Sequence, residues 1–115
     1  IDICVLGAFQ VSMRGDLANW RTQDPNAIPA VGGAMDLALG AKQLFVMMEL
    51  LTKSGEPKLV ERCSYPLTAL GAVDRVYTDL ATFHITARGV QAVDWVDGLN
   101  LQKLSTLIGI DLLSP

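Results

Sequence analysis

Residues 3–6, Ile3-Cys4-Val5-Leu6, are apolar and partly β-branched, and Gly7 ends the run; the pattern predicts a short buried strand. Val11 begins a second short extended piece. Residues 12–31 then lose any period, because Gly15, Asn19, Asp24-Pro25-Asn26 and Pro29 interrupt it. An irregular stretch of that length inside a compact domain is usually functional or disordered, and Leu17, Trp20, Ile28 and Val31 argue against disorder. Gly32-Gly33 opens a predicted helix over residues 34–42 that is apolar around most of its circumference, with Asp36 in its first turn and Lys42 in its last. Leu44-Phe45-Val46-Met47-Met48 follows without alternation, the pattern of a strand covered on both faces in a parallel sheet.

The second half of the chain reads differently. Residues 52–57 predict a turn, and residues 58–68 are ambiguous, with Pro66 excluding a central strand. Residues 75–78 and 81–86 read as strands, and Arg88-Gly89 as the turn of a hairpin into residues 90–95. Asn100 is a suitable N-cap for a helix through Leu107, with Leu101, Leu104, Leu107 and Ile108 on one stripe and Gly109 as the stop. Strand, glycine turn, helix and buried strand together indicate an α/β fold with an open, largely parallel sheet flanked by helices. No internal repeat or linker divides residues 1–115, which read as part of a single domain.

Composition narrows the function. Half of the 115 residues are hydrophobic, enough for a core that needs no disulfide or metal staple. Nine Lys+Arg against twelve Asp+Glu give a net charge of −3 and no basic stripe, which argues against nucleic acid as a partner. Cys4 and Cys63 lie far apart with no His or Cys cluster beside them, so they read as reduced, buried thiols of a cytoplasmic protein rather than metal ligands. No apolar run reaches the length of a membrane span, and no basic, apolar, small-residue leader pattern is read within these residues. The chain opens at Ile1, inside what reads as a strand, so it is expected to be the C-terminal portion of a longer subunit and a truncated domain.

Val31-Gly32-Gly33-Ala34-Met35-Asp36 is the most informative local feature. Glycines at the mouth of a helix admit backbone conformations and close approaches that a Cβ would block. The free N–H groups there suit a negative oxygen, either a phosphate or the oxyanion of acyl transfer. Taken alone, a double glycine before a helix is more often a plain tight turn. It matches neither a phosphate loop nor a dinucleotide-binding turn.

A wider resemblance covers residues 1 to about 85. Gly15-Asp16-Leu17-Ala18-Asn19-Trp20, followed by Gly32-Gly33-Ala34-Met35-Asp36-Leu37, resembles the B-subunit half of the 3-oxoacid CoA-transferases. Leu6-Gly7-Ala8-Phe9-Gln10-Val11-Ser12, Glu61-Arg62-Cys63-Ser64-Tyr65-Pro66-Leu67-Thr68 and Arg75-Val76-Tyr77-Thr78-Asp79-Leu80-Ala81 fit the same family, in family order. The resemblance implies an active site shared between two subunits, here with the CoA-transferase A-type subunit as partner in a heterodimer or heterotetramer. It also implies a ping-pong reaction in which a glutamate takes CoA from succinyl-CoA and passes it to 3-oxoadipate or acetoacetate. CoA thioester would be substrate, with no permanently bound cofactor. On this pattern Gly33 gives a backbone N–H to the oxyanion, and Gly32, Ala34 and Met35 line the thiol end of CoA.

Two departures stand out. The family nucleophile is a glutamate followed by Asn-Gly, and none of Glu49, Glu56 and Glu61 has that context, so these residues alone are expected to be inactive. Leu50 stands where the family pattern has a histidine after the strand, which weakens any role for Glu49 as an orienting group. His84, the one histidine, reads as a strand-face residue, and Trp20 and Trp95 as packing groups, Trp20 being the better site candidate. Asp16 and Asn19 read as braces of the long loop. A non-catalytic α/β binding or regulatory domain is the alternative. A sugar-phosphate isomerase is weaker still, since no basic residue lies between Arg21 and Lys42.

Overall fold

The computed structural model describes residues 2–18, 40–65, 67 and 69–115, and the account below is of those residues. Its elements are β1 (Ile3–Gly7), β2 (Gln10–Ser12), β3 (Leu17–Ala18), β4 (Gln43–Met47), β5 (Leu59–Val60), β6 (Arg75–Tyr77), β7 (Ala81–Thr86), β8 (Gly89–Trp95) and the helix α1 (Leu101–Ile108). β1, β4, β6, β7 and β8 form a sheet in that order, and β3, β2 and β5 a smaller one.

The fold is α/β, with a mixed main sheet. β1 pairs with β4, and β4 with β6, in parallel. β6–β7 and β7–β8 are antiparallel. The antiparallel end follows from the tight turn at residues 87–88, where the Thr86 hydroxyl accepts from Arg88 N (3.2 Å) and donates to Gly89 O (2.7 Å). A turn that short allows only an antiparallel return, whereas the parallel strands need long connections.

Val11, Leu17 and Leu59 of the small sheet, Leu44, Val46, Val76, Phe83 and Val90 of the main sheet, and Leu104 and Ile108 of α1 belong to one buried cluster. Each fully buried side chain of this size contributes ~1.5–3 kcal/mol relative to exposure. α1 is bounded as its sequence predicts. The Asn100 carboxamide oxygen accepts from Lys103 N (2.8 Å), and Gly109, at φ 72°, ends the helix.

The described residues differ from three expectations. Among them, residues 44–48 are covered on one face: Leu44 and Val46 are buried, but Phe45 is half-buried and Met47 is 61% exposed. The same face of β1 carries Ile3 and Val5, 49% and 52% exposed, so the described residues cover one face of the parallel strands and leave the other open. Residues 12–31 are not loop throughout, because Leu17–Ala18 pairs with β2. Of the helix read at residues 34–42, residues 34–39 lie outside the described residues. Gly40 is helical and residues 41–42 bend into β4, so Lys42 does not cap a last turn; it pairs with Asp2 (3.4 Å) in full solvent exposure, an interaction of little energetic weight.

Candidate functional site

Parallel strands bring their carboxyl ends to one edge, and open α/β sheets bind ligands there. Gly7, Met47 and Tyr77 are ladder partners and end β1, β4 and β6 side by side. The loops beyond them are tied together. Met48 N donates to Tyr77 O (3.0 Å), and Leu50 N to the Asp79 carboxylate (2.9 Å). Phe45 and Tyr77 meet edge to face, ring centroids 5.7 Å apart, and Met47, two residues on from Phe45, is exposed.

A tongue made of β2 and β3 carries the chain to this edge. Phe9 N, just past β1, donates to Ala18 O (2.9 Å), so Ala18, the last described residue of the tongue, lies beside the carboxyl end of β1. The chain rejoins the sheet at the opposite edge, where Gln43 N donates to Asp2 O (3.0 Å) and Leu44 N to the Asp74 carboxylate (2.8 Å). The tongue is clamped along its length. Gly15 O accepts from Ala72 N and Val73 N (both 3.0 Å), and Leu17 N donates to Ala69 O (2.8 Å). Gly15, at φ +85°, sits so close that a Cβ would lie 2.8 Å from Val73 O. Only glycine combines that conformation with that approach.

Gly32, Gly33, Ala34 and Met35 lie outside the described residues, as do Asn19, Trp20 and Asp36. Asp16 is a brace, as its sequence context predicts: its carboxylate accepts from Gly71 N (2.9 Å). His84 lies on the main sheet opposite Arg75, and Trp95 packs against the core. Glu49 is exposed and holds no hydrogen bond or ion pair among the described residues, which gives it no orienting role there. Cys4 is a buried free thiol, but Cys63 is only half-buried, a correction to the cysteine reading. Burial and the Asp16 charge push the Cys63 thiol up to about 11, against a smaller lowering by a backbone hydrogen bond from Ser12, so it stays protonated and unreactive at neutral pH.

Sequence reasoning missed Gln10, Asp74 and Asp79 as organising groups. The Gln10 carboxamide oxygen accepts from Ser64 N (2.7 Å) and Tyr65 N (3.1 Å), joining two sequence blocks 54 residues apart. Asp74 and Asp79 flank β6 and hold the amides at either end of β4. An acidic residue beside a short strand is the available signal, and it is shared with any solvated turn. Among the described residues no group of three His, Cys, Asp or Glu is placed to hold a metal, and no helix is long and apolar enough to cross a membrane.

A family model described as coenzyme A transferase matches residues 1–102. The chain is 55% identical over 113 residues to the B subunit of the 3-oxoadipate CoA-transferase of Pseudomonas putida, covering 98% of this chain and 53% of that one. It is 42% identical over 104 residues to the B subunit of the succinyl-CoA:3-ketoacid coenzyme A transferase of Helicobacter pylori, covering 90% and 50%. The chain thus spans about half the length of the curated relatives it matches. An acyl-CoA transferase apoenzyme from Escherichia coli O157:H7 superposes with a TM-score of 0.79 at 21% identity, over 100% of this chain and 27% of that one, a likeness of fold.

Proposed function

Because this chain belongs to the coenzyme A transferase family, we propose that it acts as part of a 3-oxoacid CoA-transferase B subunit, with succinyl-CoA as donor and a 3-oxo acid as acceptor. The 55% identity across 113 residues to the corresponding polypeptide of a 3-oxoadipate CoA-transferase carries the proposal. Its fall to 42% against a succinyl-CoA:3-ketoacid enzyme favours 3-oxoadipate over acetoacetate. No observation favours the non-catalytic alternative.

In this reaction a glutamate carboxylate attacks the thioester carbonyl and CoA leaves as thiolate, giving a mixed anhydride. The thiolate then attacks the glutamyl carbonyl and releases the donor acid. The glutamyl-CoA thioester persists until the acceptor carboxylate repeats both steps in reverse. No glutamate of these 115 residues precedes Asn-Gly, so the proposal takes the nucleophile from outside them. It gives Gly33 N–H to the oxyanion, and Gly32, Ala34 and Met35 to the thiol end of CoA. The clamped tongue supports this assignment by holding Ala18 at the carboxyl edge of the parallel strands, the edge where open α/β sheets bind ligands. The partner is the CoA-transferase A-type subunit, CoA enters as substrate with no resident cofactor, and the setting is the cytoplasm.

Two assays on the intact protein with its partner test this. Gly33→Pro removes the amide hydrogen and is expected to cut kcat by about 10²–10³, the scale of one lost oxyanion donor. Co-purification with the partner and an unchanged circular dichroism spectrum separate this loss from misfolding, and unchanged turnover would take Gly33 out of the mechanism. The kcat/KM for 3-oxoadipate is expected to exceed that for acetoacetate by about tenfold or more. The reverse order would overturn the choice of acceptor.

A further inference from the structure

At the sheet edge opposite the candidate site, a cavity of about 390 Å³ is lined by Met13, Arg14, Thr86, Ala87, Arg88 and Gly89. Its two arginines come from turns of different sheets, the β2–β3 turn and the β7–β8 hairpin. Both turns are fixed by hydroxyls. Ser12 Oγ, buried, accepts from Arg14 N (3.2 Å) and Asp16 N (3.1 Å), while Thr86 Oγ1 accepts from Arg88 N (3.2 Å).

Neither guanidinium has an ion pair among the described residues. Lys42–Asp2 is the one salt bridge there, although the chain carries more acidic than basic groups. Glu61 and Asp111 border an adjoining hollow that shares Met13, yet neither comes within pairing distance of Arg14. Two guanidiniums with no ion pair among the described residues, on fixed turns lining one cavity, supply the charge and the fork of donors that an oxyanion with several equivalent oxygens takes.

We propose that Arg14 and Arg88 form a second binding site, remote from the transferase edge, for the phosphate group of a small phosphorylated ligand. Phosphate is favoured over a single carboxylate because it offers oxygens to both guanidiniums at once. The site needs none of the residues assigned to CoA transfer, so its failure and the failure of the transferase proposal are separate events.

Isothermal titration of the intact protein, assembled with its partner, with pyrophosphate tests it, at constant ionic strength, with chloride and succinate as control anions. The expected result is saturable binding of pyrophosphate that Arg14→Gln and Arg88→Gln each weaken by about tenfold or more, the scale of a lost charge-assisted hydrogen bond. The double variant is expected to abolish it. Both side chains are exposed, so these variants keep the fold, which their unfolding curves verify. Absence of saturable binding, equal binding by the double variant, or binding of succinate in preference to pyrophosphate would each overturn the proposal.

Discussion

The two ends of the five-stranded sheet are finished in opposite ways. At the β8 end the edge is strapped by residues 112–114: Leu113 N donates to Val90 O (2.8 Å) and Ala92 N to Leu113 O (3.0 Å). At the β1 end no described residue pairs with the outer side of the strand, and Ile3, Val5 and Met47 leave an apolar face exposed. The β7–β8 ladder joins residues close in sequence, such as Thr86 and Gly89, whereas the β1–β4 ladder joins Ile3 to Gln43. Local contacts form at small loop-closure cost; the parallel ladder must first close a loop of tens of residues. The hairpin end is self-contained, and the parallel end, where the candidate site lies, depends on distant parts of the chain to hold its shape.

The sharpest way to break this contrast is to truncate one large side chain at each end. Phe83→Ala, at a position with no exposure on β7, is expected to cost ~3–5 kcal/mol in denaturant unfolding. Met47→Ala, on the open face of β4, is expected to cost less than ~0.5 kcal/mol. A large loss for Met47→Ala would mean that this face is packed in solution, and the contrast between the ends would fail.

Gly15 tests what ties the tongue to the main sheet at its parallel end, since its carbonyl holds the residues that lead into β6. Gly15→Ala combines the cost of a left-handed conformation with a Cβ 2.8 Å from Val73 O, and is expected to cost ~2–4 kcal/mol. Gly55 has nearly the same φ, +87°, but nothing within 4 Å of an added Cβ, so Gly55→Ala is expected to cost only ~1 kcal/mol. The difference isolates the contact with Val73. Equal losses would show that backbone conformation alone requires glycine at position 15.

How much of this the sequence disclosed follows the same division. The hairpin and α1 were legible because their signals are local: alternating strands around Arg88-Gly89, and Asn100 and Gly109 at the helix ends. β3 and β5 were not, because two residues carry no period; they extend only because Leu17 finds Val11 and Ala69, and Leu59 finds Val11, across the chain. The face that the described residues leave bare was not legible, because Leu44 to Met48 is apolar throughout and a run without alternation does not distinguish the two faces. Of the candidate site, the sequence blocks around Gln10, Asp16 and Ser64 were recognised as belonging together. The hydrogen bonds that join them, Ser64 N to the Gln10 carboxamide oxygen and Cys63 Sγ to Asp16 O, became visible only with the fold.

The smallest expected effect also distinguishes the two sheets. Cys4 is buried in β1, while Cys63 sits half-buried beside the tongue, with Sγ 3.7 Å from Asp16 O. Burial first, and the Asp16 charge second, raise its pKa from 9.0 to about 11. The folded chain therefore holds this proton more tightly than the unfolded chain. The stability linked to it is present in full below about pH 9 and is lost as the pH climbs toward about 11. Comparing the unfolding free energy of the parent chain with that of Cys63→Ala at intervals from pH 7 to 11 cancels the titration of other groups. The difference is expected to be constant up to about pH 9 and then to shift against the parent chain as the pH rises. A difference that stayed flat to pH 11 would mean that the thiol is freely solvated, and that the tongue does not shield it.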